Sequence, residues 1–116
     1  MATIKSFTDI EQSLKLAEIL PLESADMIWV LANPDLPMIK TIAYEDSEKS
    51  KCYEILPAWS LAALLGVLPK IHKLKPILDL EENSIQYSGI DLYVTASNPV
   101  DACYETIIKL KESGVY

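Results

Sequence analysis

The chain has 116 residues, 50% of them hydrophobic and 23% charged, which is typical of one globular domain. Its net charge is −7, and all ten of its Lys and Arg positions are lysine. Because arginine is the preferred side chain for gripping phosphates and guanine edges, we expect no nucleic-acid binding. Residues 1–7 are too polar for a signal peptide, and no apolar run approaches the roughly 18 residues that span a bilayer. These patterns predict a cytoplasmic protein that does not enter a membrane.

The first half of the chain predicts one helix followed by three strands. Thr8 and Glu11 have the spacing of a capping box, and the apolar stripe that follows predicts a helix over 9–19, ended by Pro21. Three short apolar runs are typical of strands, at residues 27–31, 38–44 and 52–55.

The middle of the chain is a segment without charges, enclosed by Pro57 and Pro69. Ser60 is well placed to cap a helix over 61–68, and that helix is apolar on every face, so it needs cover on all sides. The cover comes either from the core of the domain or, on one face, from a second copy or another protein. In the second case Trp59 lies at the rim as an anchor. The candidate interface residues are Trp59, Leu61, Leu64, Leu65 and Leu68.

The second half predicts strands over 77–82 and 85–96, with a turn at Asn83-Ser84, and then a helix. Asn98 is the expected N-cap of that helix, Pro99 fits its first position, and Gly114 is the expected C-cap. The order of elements predicts an α+β fold in one domain, residues 1–116. It consists of a mostly antiparallel sheet with two longer helices and one short apolar helix packed on it.

A basic cluster follows the apolar segment. Lys70, His72, Lys73 and Lys75 are candidate contacts for an anion or a small molecule. Nearby acidic residues offer the alternative of a solvated face with local ion pairs, at Asp79, Glu81 and Glu82.

Catalytic chemistry has weak support in the sequence. Cys52 and Cys103 lack metal-ligand spacing, and we interpret them as free thiols in a reducing compartment, although a disulfide between them stays open. A nucleophilic pair of Cys52 and His72 is the least favoured hypothesis, because it needs a third group to orient the ring. We therefore predict no catalytic residues, no cofactor and no metal site.

Four segments together resemble a group of short, uncharacterised proteins from gut-bacterial genomes and their phages or mobile elements. The segments are Ile10-Glu11-Gln12-Ser13, Ala25-Asp26-Met27, Pro57-Ala58-Trp59-Ser60-Leu61 and Asn98-Pro99-Val100-Asp101-Ala102. The resemblance implies a small cytosolic accessory protein, with a phage origin as one expectation, and it supplies no activity, cofactor or catalytic residue.

The leading functional hypothesis is a non-catalytic interaction module, either a homodimer or bound to an unidentified protein partner. The alternative is a small-molecule or anion-binding protein that uses the segment from Lys70 to Lys75.

Overall fold

The computed structural model describes residues 5–31, 37–41, 55–69, 75–87 and 92–114. The helices of this part are α1 (Ile10–Ala17), α2 (Leu61–Val67) and α3 (Pro99–Glu112), together with a 3-10 turn at Leu22–Ser24. The strands are β1 (Met27–Val30), β2 (Met38–Thr41), β3 (Ile55–Ala58), β4 (Pro76–Asp79), β5 (Ser84–Tyr87) and β6 (Leu92–Thr95). The predicted α+β class is confirmed.

The strands form two antiparallel sheets, whereas the sequence suggested one. The first sheet has the order β2-β1-β3 and the second has the order β4-β5-β6. Each sheet is assembled from neighbours in the chain, so its pairing is local. The predicted strand positions 42–44 and 52–54 lie outside the described residues.

The cap of α1 differs from the prediction by one residue. Asp9 is the N-cap, and it forms a capping box with Gln12 in which each side chain accepts from the other residue's backbone N–H. Thr8, the predicted cap, is fully buried, and its hydroxyl accepts from the backbone N–H of Trp59 (3.1 Å). Thr8 therefore serves a tertiary contact, and the adjacent carboxylate takes over the helix start.

The other two predicted caps are confirmed. The Ser60 side chain accepts from the backbone N–H of Ala63 at the start of α2, and the Asn98 side chain accepts from the backbone N–H of Asp101 at the start of α3. Gly114 follows α3 with a φ of 87°, a backbone conformation that favours glycine.

The connection between β4 and β5 begins earlier than predicted. The turn occupies residues 80–83, and Asn83 has a positive φ of 52°, a conformation that asparagine tolerates. Ser84 is the first residue of β5 and is almost fully buried, so it belongs to the sheet and not to the turn.

One backbone hydrogen bond shows which way the peptide groups of the second sheet point. The N–H of Ala96 donates to the carbonyl of Asn83 (3.1 Å). Because hydrogen-bonded and non-hydrogen-bonded pairs alternate in an antiparallel ladder, Ser84 and Thr95 form a non-hydrogen-bonded pair. It follows that the N–H and C=O groups of Tyr93 and Thr95 point away from β5, toward the outer edge of β6.

The same alternation applies on the other side of β5. Asp79 and Ser84 form a hydrogen-bonded pair, so the peptide groups of Pro76 and Leu78 point away from β5, toward the outer edge of β4. Pro76 therefore occupies a position at which its missing N–H removes no bond from the sheet.

A continuous core joins α1 and α2 to the second sheet and α3. Its members include Leu16, Trp59, Leu64, Ile85, Tyr87, Val100, Cys103 and Ile107. Among the helices of the described ranges, none has both the length and the apolar character needed to cross a membrane.

Candidate functional site

The candidate interface in mid-chain is more buried than the hypothesis of an exposed face required. Trp59 and Leu64 are 0% exposed and Leu68 is 7% exposed, so these three residues belong to the core. The placement of Trp59 at an exposed rim is wrong. Its indole N–H donates to the Ser24 hydroxyl (2.9 Å), and Thr8 binds its backbone, so both of its polar groups have partners inside the fold.

The opposite side of α2 faces solvent. Leu65 is 36% exposed, Ala62 and Gly66 are exposed, and Leu61 is half-buried. The fold therefore covers one side of α2, and the expectation that a second copy or another protein covers the other side stays a prediction. Next to Leu65 lies a pocket of about 290 Å³, lined by Leu65, Leu68, Lys75 and Pro76.

The candidate anion contacts lie mostly outside the described residues. Lys70, His72 and Lys73 fall within residues 70–74, which lie outside the described ranges. Lys75 is exposed and lines the pocket beside Leu65. Cys52 also lies outside the described residues. The anion-binding hypothesis and the pair of Cys52 and His72 therefore stay predictions.

Cys103 is a fully buried free thiol on the core side of α3, as its position in the apolar stripe predicted. Burial raises its pKa to about 12, far from the value that a reactive thiolate needs. Burial, together with the neighbouring Cys103, also raises the pKa of Tyr87 to about 12, and the Tyr87 hydroxyl donates to the carbonyl of Pro69 (2.7 Å). Both groups serve packing.

A polar cluster joins the start of α1 to the start of α3. The Asp101 carboxylate accepts from Lys5 Nζ (2.8 Å), Gln12 Nε2 (2.8 Å) and Asn98 Nδ2 (3.0 Å). Lys5 also donates to the Asp9 carboxylate (3.1 Å). One lysine therefore neutralises carboxylates at two helix N-termini.

The pKa values of this cluster reflect a balance. Burial alone raises the pKa of Asp101, but the bonds from Lys5, Gln12 and Asn98 together hold it below 3.8. Burial alone lowers the pKa of Lys5, and its bonds to Asp101 and Asp9 raise it above 10.5. The charged form of each group is thus the stable one.

A second polar cluster fixes the start of α2. The Asp26 carboxylate accepts from both the backbone N–H and the hydroxyl of Ser60. Thr8 and Ser13 share a hydrogen bond between their hydroxyls (2.7 Å) inside the core. Sequence reasoning missed Lys5, Asp26 and Thr8 as partners, because these contacts join residues remote in the chain and no local spacing marks them.

The two clusters connect all four segments that carry the resemblance described above. Asp26 binds Ser60, Gln12 binds Asp101, and Ser13 reaches Trp59 through the hydroxyl of Thr8. Each segment therefore has a role in holding the fold.

Comparison with known proteins gave no match to a family model, to a curated protein or to a solved structure. Within the described ranges, no three His, Cys, Asp or Glu side chains come together in a way that could hold a metal ion.

Proposed function

We propose that the protein is a non-catalytic interaction module, and that it binds a second copy of itself through the solvent-facing side of α2. The observation that carries the proposal is the composition of that side, where Leu65 lies between Ala62 and Gly66 without a polar side chain on the helix. The adjacent pocket beside Pro76 has the size and lining to receive an apolar side chain of the partner.

The fate of the polar side chains supports a binding role over a catalytic one. Asp26, Ser60, Asp101 and Lys5 are engaged in bonds that hold helix starts in place, and the Cys103 thiol is buried. A general base or nucleophile needs a free reactive atom with access to substrate, whereas the exposed Asp26 carboxylate is bound to Ser60 and the Cys103 thiol has no access.

The exposed side of α2 is the centre of the proposed interface and not the whole of it. A stable dimer buries about 800 Å² on each partner, which is more surface than Ala62, Leu65 and Gly66 supply. We expect neighbouring surface to contribute and the affinity to be modest.

The free Cys103 supports a cytoplasmic location, because buried unpaired thiols are typical of reducing compartments. An origin as an accessory protein of a phage or mobile element is proposed on the resemblance of the four segments alone.

Sedimentation equilibrium over a wide concentration range tests this proposal. We expect the wild-type mass to rise toward that of a dimer and Leu65→Glu to remain monomeric. The matched control is Leu14→Glu, since Leu14 is 54% exposed on a different helix. Circular dichroism verifies that both variants are folded. A wild-type protein that stays monomeric at millimolar concentration, or equal behaviour of the two variants, contradicts the proposal.

A further inference from the structure

A second surface lies at the edge of the second sheet that is formed by β6. A pocket of about 420 Å³ is lined by five consecutive residues, 93–97, and by a stripe of side chains along α3. That stripe consists of Asp101, Glu105 and Lys109, spaced four residues apart, and Gln12 of α1 closes one end. The pocket is therefore a groove between a strand and the flank of a helix.

The strand that borders the groove has unused bonding capacity on this side. β6 is the last strand of its sheet in the described part of the chain, hydrogen-bonded there to β5 alone. The pairing derived above turns the N–H and C=O groups of Tyr93 and Thr95 outward, into the groove. Two donors and two acceptors are thus arranged as an added strand requires.

The dimensions of the two walls agree. Eight steps of helix, from Asp101 to Lys109, span about 12 Å, and the four residues of β6, Leu92–Thr95, span about 13 Å. The groove therefore accommodates about four residues of an extended peptide beside β6.

The charges of the groove select the peptide. Asp101 already accepts three hydrogen bonds, and Glu105 is exposed at the middle of the helical wall. Because Lys5 offsets the charge of Asp101, the remaining charges near the groove are Glu105, the cation of Lys109, and Glu82, which accepts from the Tyr93 hydroxyl. The net charge of −7 attracts cations over a longer range.

We infer that this groove binds an extended, basic peptide segment of a partner protein by strand addition to β6, with a lysine or arginine side chain facing Glu105. This surface is separate from the exposed side of α2, so the inference goes beyond the proposed self-association, and either can fail alone.

The test is a titration of ¹⁵N-labelled full-length protein, followed by NMR, with an eight-residue peptide of alternating valine and lysine. We expect saturable shifts of the Tyr93 and Thr95 amides and of α3 residues near Glu105. A peptide of alternating valine and glutamate, and a valine–lysine peptide N-methylated at alternate residues, should bind at least tenfold more weakly. The N-methylated peptide keeps the charge and loses the strand bonds, so it separates strand addition from general attraction.

Charge reversal supplies the matched variants. Glu105→Lys should weaken binding about tenfold, and Glu112→Lys, on the same helix outside the groove, should leave it unchanged. Absence of shifts at millimolar peptide, equal binding of the N-methylated peptide, or equal effects of the two variants overturns the inference. Concentration-dependent shifts of the Tyr93 and Thr95 amides without peptide also overturn it, because they identify a second copy as the occupant.

Discussion

Lys5 and Asp101 lie 96 positions apart in the chain, and their ion pair (2.8 Å) joins the segment before α1 to the first turn of α3. Two effects favour the charged form of Asp101. One is the ion pair with Lys5, and the other is the dipole of α3, whose N-terminus favours a carboxylate in its first turn. Single side chains of this kind decide how the elements are oriented, and their contributions can be measured separately.

We expect Asp101→Asn to lower the free energy of unfolding at pH 7 by about 1 kcal/mol, because an NH2 group in place of Oδ2 cannot accept from Asn98 and Lys5 loses one counter-charge. Urea denaturation measures this value. The control Glu112→Gln, at an exposed position near the end of α3, should change stability by less than about 0.5 kcal/mol.

The difference between wild type and Asp101→Asn should depend on pH. Since the folded pKa of Asp101 lies below 3.8, its contribution is complete above pH 3.8 and is lost as the pH falls through the folded value. At the alkaline end, the raised pKa of Lys5 keeps its contribution complete below pH 10.5, and it is lost as the pH rises through the folded value. A difference that stays constant down to pH 2 would show that the Asp101 charge is not involved.

Cys103 should resist thiol reagents in the folded protein, because its side chain is buried and its pKa is about 12. In a Cys52→Ser background, we expect an aromatic disulfide reagent at pH 8 to modify Cys103 at least a hundredfold more slowly than in 6 M guanidinium chloride. Rapid labelling of the native protein would place this thiol at the surface and contradict its packing in the core.

At the scale of elements, local sequence patterns predicted helix starts well where no tertiary contact competed. Ser60 and Asn98 cap the expected helices, since the acceptor and the backbone donor are only three residues apart. Thr8 was the predicted cap of α1, but its contact with Trp59 leaves the cap to the adjacent Asp9. The burial of Trp59 could not be predicted either, because it depends on Ser24 and on helices distant in the chain.

Two glycines with opposite backbone conformations allow a paired prediction. Gly66 lies in α2, and a Cβ added there meets no atom within 4 Å, so Gly66→Ala should raise the free energy of unfolding by about 0.5–1 kcal/mol. Gly114 has a φ of 87°, so Gly114→Ala should lower that free energy by about 1 kcal/mol. Thermal denaturation of both variants checks the signs, and a loss of stability in Gly66→Ala would show that the space above α2 is occupied.

At the scale of the whole molecule, the division into two sheets could not be read from the sequence, because strand lengths and turns do not reveal which neighbours pair. The antiparallel pairing of close neighbours was predictable, but the core that the second sheet shares with α1, α2 and α3, and the contact of β3 with α1, were not. For the candidate site, the apolar character of α2 was visible in advance, but the side that stays exposed was not.

The contact of β3 with α1, a helix that belongs to the core of the second sheet, predicts cooperative unfolding of the two sheets. Trp29 reports on the first sheet and Trp59 on the core, and the Trp29 indole N–H donates to the carbonyl of Thr8 (3.0 Å) beside Trp59. We expect tryptophan fluorescence and far-ultraviolet circular dichroism to give coincident unfolding transitions in the wild type, and likewise in Trp29→Phe. In the wild type, a fluorescence transition that precedes the circular dichroism transition, and that is absent in Trp29→Phe, would indicate that the first sheet opens separately.

Pro76 makes the two edges of the second sheet unequal as sites for the addition of a further strand. Its nitrogen points to the outer edge of β4 and carries no hydrogen, so a chain arriving there finds one donor fewer than it needs. β6, on the opposite side, has a full set of peptide groups. Growth of a fibril requires each added unit to offer a competent template on its far side, and β4 does not provide one. The second sheet can thus accept a strand along β6 and still lack a complete set of donors for a further strand at β4.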